Sequence, residues 1–479
     1  MNSSDFPAMA ASGLTDRRVA IARMAGGARY PDRVGDLAPL AEALDRLGGW
    51  LGWAQPGRGP LAGVIAPGAN VLLKPNLVLH RNQLAGGGWE ELLTHATLIA
   101  AVTEAALQAG AARVIVGDAP LQSCDFDELL SVTGLGEWAR ALSAREPRFG
   151  GIRDFRRTTC VMRGGVRVAE ENKRSEEDYV LFDLAGESLL EEVVDEEHPF
   201  RVCWYDPRLM RRTHYAGRHQ YLVARDVITN DVVINLPKLK THKKAGITCA
   251  LKNLIGINGN KEYLPHHRMG GSLTGGDCYP GQSKVKEWLE EIHDQQNMTE
   301  STVRQAALHS LTLGLSRLLW VQQDRFGIEG SWSGNDTIWR TCLDLNRILL
   351  YGAADGSVGQ QPARRVVHIV DAILAGEGDG PLSPEPLPLG LLLAGGNAAA
   401  IDWAGSHLLG YDPQRLPISR EAFGSFRWPI SQFSSADVEV LGDLGTGIAD
   451  QILPEAEFVR PTRYPPGWRD AVLAAVGVR

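Results

Sequence analysis

One stretch of the chain constrains the fold more than any other, the segment from Asp231 to Gly270. It begins with a short apolar run that ends at Asn235 and Pro237, which is how a strand buried in a parallel sheet stops. The polar side chains that follow are Lys238, Lys240, Lys243, Lys244, Lys252, Asn253, Lys261, His266 and His267. The segment therefore predicts a buried strand that leads directly into a dense group of basic and amide side chains.

The choice of lysine in this segment indicates a function. The chain has 10 lysines and 39 arginines, and six of the lysines lie between Lys238 and Lys261. Lysine carries a compact, movable ammonium group, whereas arginine carries a planar fork. From Lys238 to Arg268 there are seven positive side chains and one negative one, although the whole chain has a net charge of −8. A solvated basic loop is one interpretation, but the coincidence with a strand end favours a site for an anionic ligand.

A second strand of the same kind lies nearer the amino terminus. The sequence VLLKPNLV predicts a strand that ends at Pro75 and exposes Lys74 and Asn76. A helical stripe follows, and then a strand that ends at Asp118. Strand, helix and strand in this order form a βαβ crossover, and ligands bind at the carboxyl ends of such strands. We therefore predict an α/β fold with a mostly parallel sheet and flanking helices.

The remaining sequence defines the expected domain organisation. Residues 1–16 have the character of a loose tail, and residues 17–410 are expected to form one α/β domain. We expect insertions in this domain at about 121–219 and 272–322, of which the first contains an acidic stretch without expected chemistry. Residues 411–479 are interrupted by prolines and are expected to wrap around the domain.

Composition excludes several classes of protein. The first residues lack the basic and apolar regions of a signal peptide, and no segment reaches about 18 consecutive apolar residues. The six cysteines are scattered without a CxxC pair, so they predict neither a metal cluster nor a disulfide framework. The net charge of −8 argues against general binding to nucleic acid or membrane surfaces. We expect a protein of the reducing cytoplasm.

An acidic motif near the end of the predicted domain suggests a cation site. Glu377 and Asp379 lie two residues apart in GEGDGP, shortly after a strand that carries Asp371. Together with Asp118, these carboxylates would suit Mg²⁺ or another divalent cation. Two alternatives stand: a tight turn with solvated acids, or glycine amides that hold a phosphate. The motif is not a P-loop, because no GK[ST] follows it.

The histidines show no metal-ligand spacing of a recognised type. His242 lies among the lysines, which would disfavour its charged form and leave a neutral base near neutral pH. We therefore expect His242, Lys238 and Asp118 to be the catalytic residues. The expected substrate-binding residues are Lys74, Asn76, Lys240, Lys252 and Asn253, and the expected metal ligands are Asp371, Glu377 and Asp379.

These motifs together resemble the domain of unknown function 362 family. The resemblance rests on VLLKPNLV, GDAP, INLPKLKTHKKAGITCALKNLIG, DAILAGEGDGP and GGNAAAIDWAGSHLLG. It implies an α/β fold and supports the chosen residues, but it leaves the reaction open. Many members of the family occur beside iron–sulfur proteins or carry a ferredoxin-like cysteine segment. This chain lacks those cysteines, so we expect no iron–sulfur cluster.

The leading hypothesis is an enzyme that acts on a small phosphate- or carboxylate-bearing substrate in a cleft rich in Lys, Asn and His, with a divalent cation as a candidate cofactor. One alternative is a non-catalytic module that binds anions or nucleic acid through KLKTHKK, although nucleic acid is the less favoured ligand. Another is a redox-associated protein without a cluster. Carboxylates from distant parts of the chain that converge on the lysines would favour the enzyme.

Overall fold

Strands and helices alternate along the computed structural model, which describes residues 6–32, 36–163, 166–321, 324, 326–455 and 462–473. The strands are β1 (Arg18–Arg23), β2 (Asn70–Pro75), β3 (Arg113–Asp118), β4 (Phe149–Asp154), β5 (Thr158–Arg163), β6 (Val166–Asn172), β7 (Tyr179–Asp183), β8 (Phe200–Arg201), β9 (His214–Tyr215), β10 (Arg218–Ala224), β11 (Val232–Leu236), β12 (Lys238–His242), β13 (Gly246–Thr248), β14 (His267–Arg268), β15 (Arg365–Asp379), β16 (Ser383–Gly395), β17 (Glu439–Gly442) and β18 (Gly447–Ile448). The α-helices are α1 (Phe6–Thr15), α2 (Ala38–Leu51), α3 (Ala96–Gln108), α4 (Phe126–Val132), α5 (Leu135–Arg145), α6 (Pro207–Thr213), α7 (Arg225–Ile228), α8 (Ala250–Asn253), α9 (Lys284–Met298), α10 (Thr302–Val321), α11 (Ile338–Tyr351), α12 (Ala398–Leu408), α13 (Pro417–Glu421) and α14 (Ala449–Ile452).

The main sheet contains eleven of the described strands, and its central order is β18-β17-β1-β16-β15-β11-β2-β3-β4. The run from β15 to β4 is parallel throughout, and β17 is parallel to β1. Strand β16 is antiparallel to both of its neighbours. The predicted α/β fold with a mostly parallel sheet and flanking helices is confirmed. Strand β12 continues the path of β11 after Pro237 and also pairs with β15.

The sheet is buried on both faces, as its apolar strands require. In β2, Val71 and Leu73 belong to the core under α2 and α3, whereas Leu72 belongs to the core that contains β10 and α11. This alternation follows from the two-residue period of a strand. Packing on both faces therefore positions the strands, and with them the residues at the carboxyl edge of the sheet.

The edges of the main sheet are irregular. In β4, one extra residue lies between the partners of Val114 and Val116, and Gly151 within it has a φ of 86°. This arrangement is a β-bulge, which bends the edge strand. The opposite edge, β18, is two residues long. Thus the expected first insertion and the expected wrapping segment each supply an edge of the sheet.

The expected loose tail contains α1, whose carboxyl end packs on the domain. Leu14 is buried, and the carbonyl of Gly13 accepts a hydrogen bond of 3.0 Å from Asn397. Leu14 thereby joins the part of the core that contains Val366 of β15. Among the residues that the structure describes, no helix is both long and apolar enough to cross a membrane.

Candidate functional site

A cleft opens at the carboxyl ends of β2 and β3 and has a volume of about 590 Å³. This volume lies within the range of small-molecule sites. The residues of the predicted site that line the cleft are Lys74, Asn76, Asp118, Lys240, His242, Lys252 and Asn253. Strands β2, β3 and β12 and helix α8 carry them to this edge, as the parallel arrangement requires.

Lys74 and Asp118 form a buried ion pair at the base of the cleft. Lys74 Nζ lies 2.7 Å from Asp118 Oδ1 and also donates to the carbonyl of Pro75 at 2.8 Å. Asp118 Oδ2 accepts a hydrogen bond of 2.6 Å from the backbone of Leu77. Burial lowers the pKa of Lys74 and raises the pKa of Asp118, while the contact between them opposes both shifts. Because Lys74 uses all three of its N–H groups, on Asp118, Pro75 and Asn253, the pair orients the cleft wall.

The asparagines form a hydrogen-bonded chain beside this pair. Asn253 Oδ1 accepts from Asn76 at 2.9 Å and from Lys74 at 3.1 Å, and its amide nitrogen donates to Asn235 at 2.8 Å. Asn76 Oδ1 is buried at the cleft wall and has no hydrogen-bond partner among the described residues. The chain fixes the orientation of Asn76, whose carbonyl oxygen has no partner among the described residues.

Lys252 and Lys261 line the cleft without a counter-charge. Neither ammonium group makes a hydrogen bond or an ion pair with another described residue, and Lys252 is only 9% exposed. Burial lowers the pKa of Lys252. Burial, and then the charge of Lys252, lowers the pKa of Lys261 to about 8. An anion that enters the cleft would stabilise the charged form of both amines.

Lys240 is held more tightly than its neighbours. Its Nζ donates to the carbonyls of Leu92 at 2.7 Å and Pro381 at 3.1 Å, and the residue has no solvent exposure. Burial lowers its pKa well below the usual value, and the charges of Lys238 and Lys252 lower it further. Lys240 is therefore part of the cleft wall rather than a freely moving side chain.

His242 is fixed in one neutral form. Its Nδ1 accepts hydrogen bonds from the backbone amides of Lys244 at 3.0 Å and Ala245 at 3.2 Å, so the proton lies on Nε2. Burial lowers its pKa well below the usual value, and the nearby lysines contribute in the same direction. The neutral state agrees with our expectation, but the role differs. With Nδ1 engaged, His242 is suited to donate from Nε2 and not to accept a proton.

Lys238 and Asp371 lie outside the cleft in a sealed cluster. Both are 0% exposed, and Lys238 Nζ lies 2.8 Å from Asp371 Oδ2. The hydroxyl of Tyr30 lies 2.7 Å from Lys238 Nζ and donates to Asp371 Oδ1 at 2.6 Å. Lys238 was expected to be catalytic and Asp371 to bind a metal. The structure instead pairs them with each other and covers them with Tyr30.

Glu377 and Asp379 also lie away from the expected position. They belong to β15, which forms a long hairpin with β16, and not to a tight turn. Glu377 lies six positions beyond Asp371 along β15, which is roughly 20 Å in an extended strand. Glu377 accepts a hydrogen bond of 2.8 Å from the backbone of Arg463, and Asp379 is exposed. Asp371, Glu377 and Asp379 do not line the cleft that Asp118 lines, and among the described residues they form no metal-ligand group with it.

Sequence reasoning missed several residues of the cleft. Glu329 lies 2.7 Å from Lys243, and Cys203 accepts a hydrogen bond of 3.1 Å from Lys244 Nζ. Burial raises the pKa of Glu329, but the two lysines outweigh burial and hold it well below its usual range. The expected first insertion also supplies wall residues, which are Gln122, Ser123, Cys160, Met162, Val202, Cys203, Trp204 and Tyr205. No local sequence pattern marked them, because they approach only through the fold.

Asp402, on α12, positions the helix that carries Lys252 and Asn253. Its Oδ1 accepts a hydrogen bond of 3.1 Å from the backbone of Leu251 at the start of α8. Its Oδ2 is buried without a hydrogen-bond partner among the described residues. Burial raises the pKa of Asp402 to about 7.

The charges around the cleft are strongly unequal. Six lysines line it, at positions 74, 240, 243, 244, 252 and 261, against two carboxylates, Asp118 and Glu329. Both carboxylates are already paired with a lysine. The described wall therefore has an excess of amines that a small anion would compensate.

Comparison with known proteins gives a family but no reaction. The sequence profile of a family described as "Domain of unknown function (DUF362)" matches residues 162–407, just over half of the chain. A thylakoid-associated protein of Synechocystis sp. is 24% identical over 195 residues, which are 41% of this chain and 37% of that protein, so the chain spans little more than a third of its length. A crystal structure of a Thermotoga maritima protein aligns with 79% of this chain and 60% of its own at 11% identity. Its TM-score of 0.33 is too low to support an argument.

Proposed function

This chain belongs to the family described as "Domain of unknown function (DUF362)", and we propose that it is an enzyme that binds a small phosphate- or carboxylate-bearing substrate in the lysine-lined cleft. The observation that carries the proposal is the position of Lys252 and Lys261, which face the cleft without an anionic partner in the described structure. Lys252 is 9% exposed and Lys261 is half-buried, so their charged amines are only partly hydrated, and a bound anion would offset that cost.

The protonation states assign different roles to the amines. Burial lowers the pKa of Lys244, but the negative charge of Glu329 and the contact with the Cys203 sulfur outweigh burial and raise it, so the ammonium stays charged. Lys244 and Lys261 would neutralise the anionic group. Lys252, whose pKa is lowered by burial, would accept or donate a proton during the reaction.

His242 would stabilise negative charge that develops on the substrate. Its Nε2–H is a fixed donor, because two backbone amides occupy Nδ1. A preorganised neutral donor lowers the energy of an oxyanion without a change in its own protonation. Together, Lys252 and His242 would support proton transfer next to a carbonyl or phosphoryl group.

A divalent cation remains a secondary proposal. Asp118 is the one expected metal ligand on the described cleft wall, and it already pairs with Lys74 at 2.7 Å. Mg²⁺ commonly takes one carboxylate together with substrate phosphates. A cation would therefore enter with a phosphate-bearing substrate and take Asp118 as its protein ligand.

The alternatives fit the geometry less well. Lys240 and Lys252 lie within a cleft, at 0% and 9% exposure, where the backbone of a nucleic acid duplex does not reach. A non-catalytic module for small anions would use the same side chains and differs only in the absence of chemistry. We propose a location in the reducing cytoplasm, where six scattered cysteines without a CxxC pair would remain thiols.

A thermal-shift screen of phosphate- and carboxylate-bearing metabolites tests anion binding. A ligand at a hundredfold excess over its Kd stabilises the folded state by about 2.7 kcal/mol. We expect hits with the wild type and with the exposed control Lys284→Met, and a much smaller response with Lys252→Met and Lys261→Met. Identical responses in all four proteins would exclude the cleft as the anion-binding site. A hit that exchanges a carbon-bound hydrogen with deuterated solvent only when wild-type protein is present would establish an enzyme.

A further inference from the structure

We propose that His267, Cys278 and Glu290 form a site for a zinc-class transition-metal ion, separate from the lysine-lined cleft. His267 lies on β14, Cys278 in the following loop and Glu290 on α9. All three are buried, and one ligand atom from each lies within 4.8 Å of the others. None of the three lines the lysine-lined cleft.

The donor atoms identify the class of metal. An imidazole nitrogen, a thiolate sulfur and a carboxylate oxygen suit Zn²⁺ or Co²⁺, whereas Mg²⁺ and Ca²⁺ prefer oxygen ligands alone. The thiolate and the carboxylate would together neutralise a dication. Metal–ligand bonds of about 2.0–2.3 Å require ligand atoms roughly 3.3–3.8 Å apart, and the three ligand atoms here lie within 4.8 Å of one another.

A small cavity lies beside these residues. It has a volume of about 20 Å³ and is lined in part by His267, Glu290 and His293; Arg201 and Asp294, which pair with each other, also line it, and Cys278 does not. This volume is enough for one water molecule or a single ion but for no larger ligand. His293 offers a further nitrogen donor from the cavity wall, on the same helix as Glu290.

The imidazole of His267 provides a second, independent observation. Its Nδ1 is buried without a hydrogen-bond partner among the described residues, in a side chain that is 4% exposed. A buried polar atom without a partner costs free energy. A bond from an imidazole nitrogen to a metal would remove such a cost.

The surroundings orient the carboxylate and balance the charge. The backbone amide of Gly270 donates to both oxygens of Glu290, at 3.0 and 3.2 Å, which is the kind of support that metal ligands receive. Of the nearby cations, Arg201 is paired with Asp294 at 2.8 Å. The charge of Lys244 is offset by Glu329, which holds the adjacent Lys243 at 2.7 Å.

Cobalt and zinc binding to the full-length protein tests this site. The protein is purified without chelator for metal analysis, stripped, and titrated with Zn²⁺ and Co²⁺. We expect one metal ion per chain and, with Co²⁺, a thiolate-to-cobalt charge-transfer band. Cys278→Ser should lose the band and bind at least tenfold more weakly, whereas the control Cys124→Ser, a buried thiol outside this group, should behave as the wild type.

The variant His267→Gln separates loss of a ligand from loss of the fold. It should bind more weakly but keep the thiolate band, because Cys278 is intact. Absence of stoichiometric binding or of the band in the wild type would overturn the proposal without reference to any variant. So would a Cys278→Ser protein that binds Co²⁺ with the affinity and spectrum of the wild type. A hydrogen-bonded cluster without metal would give the first of these results.

Discussion

Lys74 Nζ and Asp118 Oδ1 meet at 2.7 Å directly over Gly256, whose missing side chain makes the contact possible. A Cβ at this position would lie 1.9 Å from Asp118 Oδ1 and 2.6 Å from Lys74 Nζ. Gly256→Ala should therefore break the pair and lower the free energy of unfolding by about 3–5 kcal/mol. Chemical denaturation measures this loss. The control Gly49→Ala, in an exposed helical position with open space around it, should be neutral or stabilising.

The lysines of the cleft should differ in their effect on stability. Lys240→Met leaves the carbonyls of Leu92 and Pro381 without this donor, so we expect a loss of about 1–3 kcal/mol. Lys252→Met removes no hydrogen bond and relieves repulsion, so stability should stay the same or rise. Urea denaturation in buffer without phosphate or carboxylate anions compares the two. The reverse order would show that Lys252 has a stabilising partner in the fold.

The sealed cluster should be structural and not functional. Asp371→Asn leaves the charge of Lys238 buried without its partner, so we expect a loss of about 3–5 kcal/mol. Since neither residue lines the cleft, the affinity for any anionic hit should be unchanged in protein that remains folded. Asp379→Asn is the matched exposed control and should change stability by no more than about 0.5 kcal/mol. A large loss of anion affinity in Asp371→Asn would mean that Lys238 and Asp371 take part in anion binding.

Asp379→Asn also tests the expected cation site. If Mg²⁺ or Mn²⁺ raises the melting temperature together with a phosphate-bearing hit, the variant should show the same rise as the wild type. The reason is that Asp379 is exposed on the β15–β16 hairpin and does not line the cleft that Asp118 lines. A smaller rise in the variant would indicate that the hairpin carboxylates do hold the cation.

Asp402 should make stability depend on pH. Its pKa is about 7 in the folded state because of burial, compared with about 4 in an unfolded chain. The folded state therefore binds the proton more tightly. This contribution is complete below about pH 4 and is lost as the pH rises to about 7, by up to about 4 kcal/mol.

Asp402→Asn should remove that slope, since the amide oxygen can still accept from Leu251. The measurement is the free energy of unfolding between about pH 4 and 7.5, as the difference between the two proteins, which cancels the other titrating groups. Parallel curves would mean that Asp402 is ionised in the fold and has a partner.

The sequence predicted the position of those cleft residues that depends on the order of the parallel strands. Lys74 and Asp118 end parallel strands, so both side chains reach the same edge of the sheet. Lys238 and Lys240 lie two residues apart and were expected to act together. A shift in register between them on β15, and the cover from Tyr30, 208 residues away, separate Lys238 from the cleft.

The other differences between expectation and structure also arise from contacts with residues that are distant in the sequence. Glu377 lies in a glycine-rich motif that suits a turn, but pairing with β16 extends it as a strand. Cys203 and Glu329 come from segments without local periodicity, so only tertiary packing brings them to the lysines. Local pattern determines where a strand ends, but it does not determine which distant residue covers that end.

The irregular edges of the sheet bear on how the protein behaves at high concentration. A long, straight edge strand offers unpaired amides and carbonyls to another molecule and invites assembly into fibres. Here one edge is bent by the extra residue beside Gly151, and the other is only two residues long. Neither edge offers a regular template for an added strand. These edges therefore disfavour edge-to-edge association of the eleven-stranded sheet with another molecule.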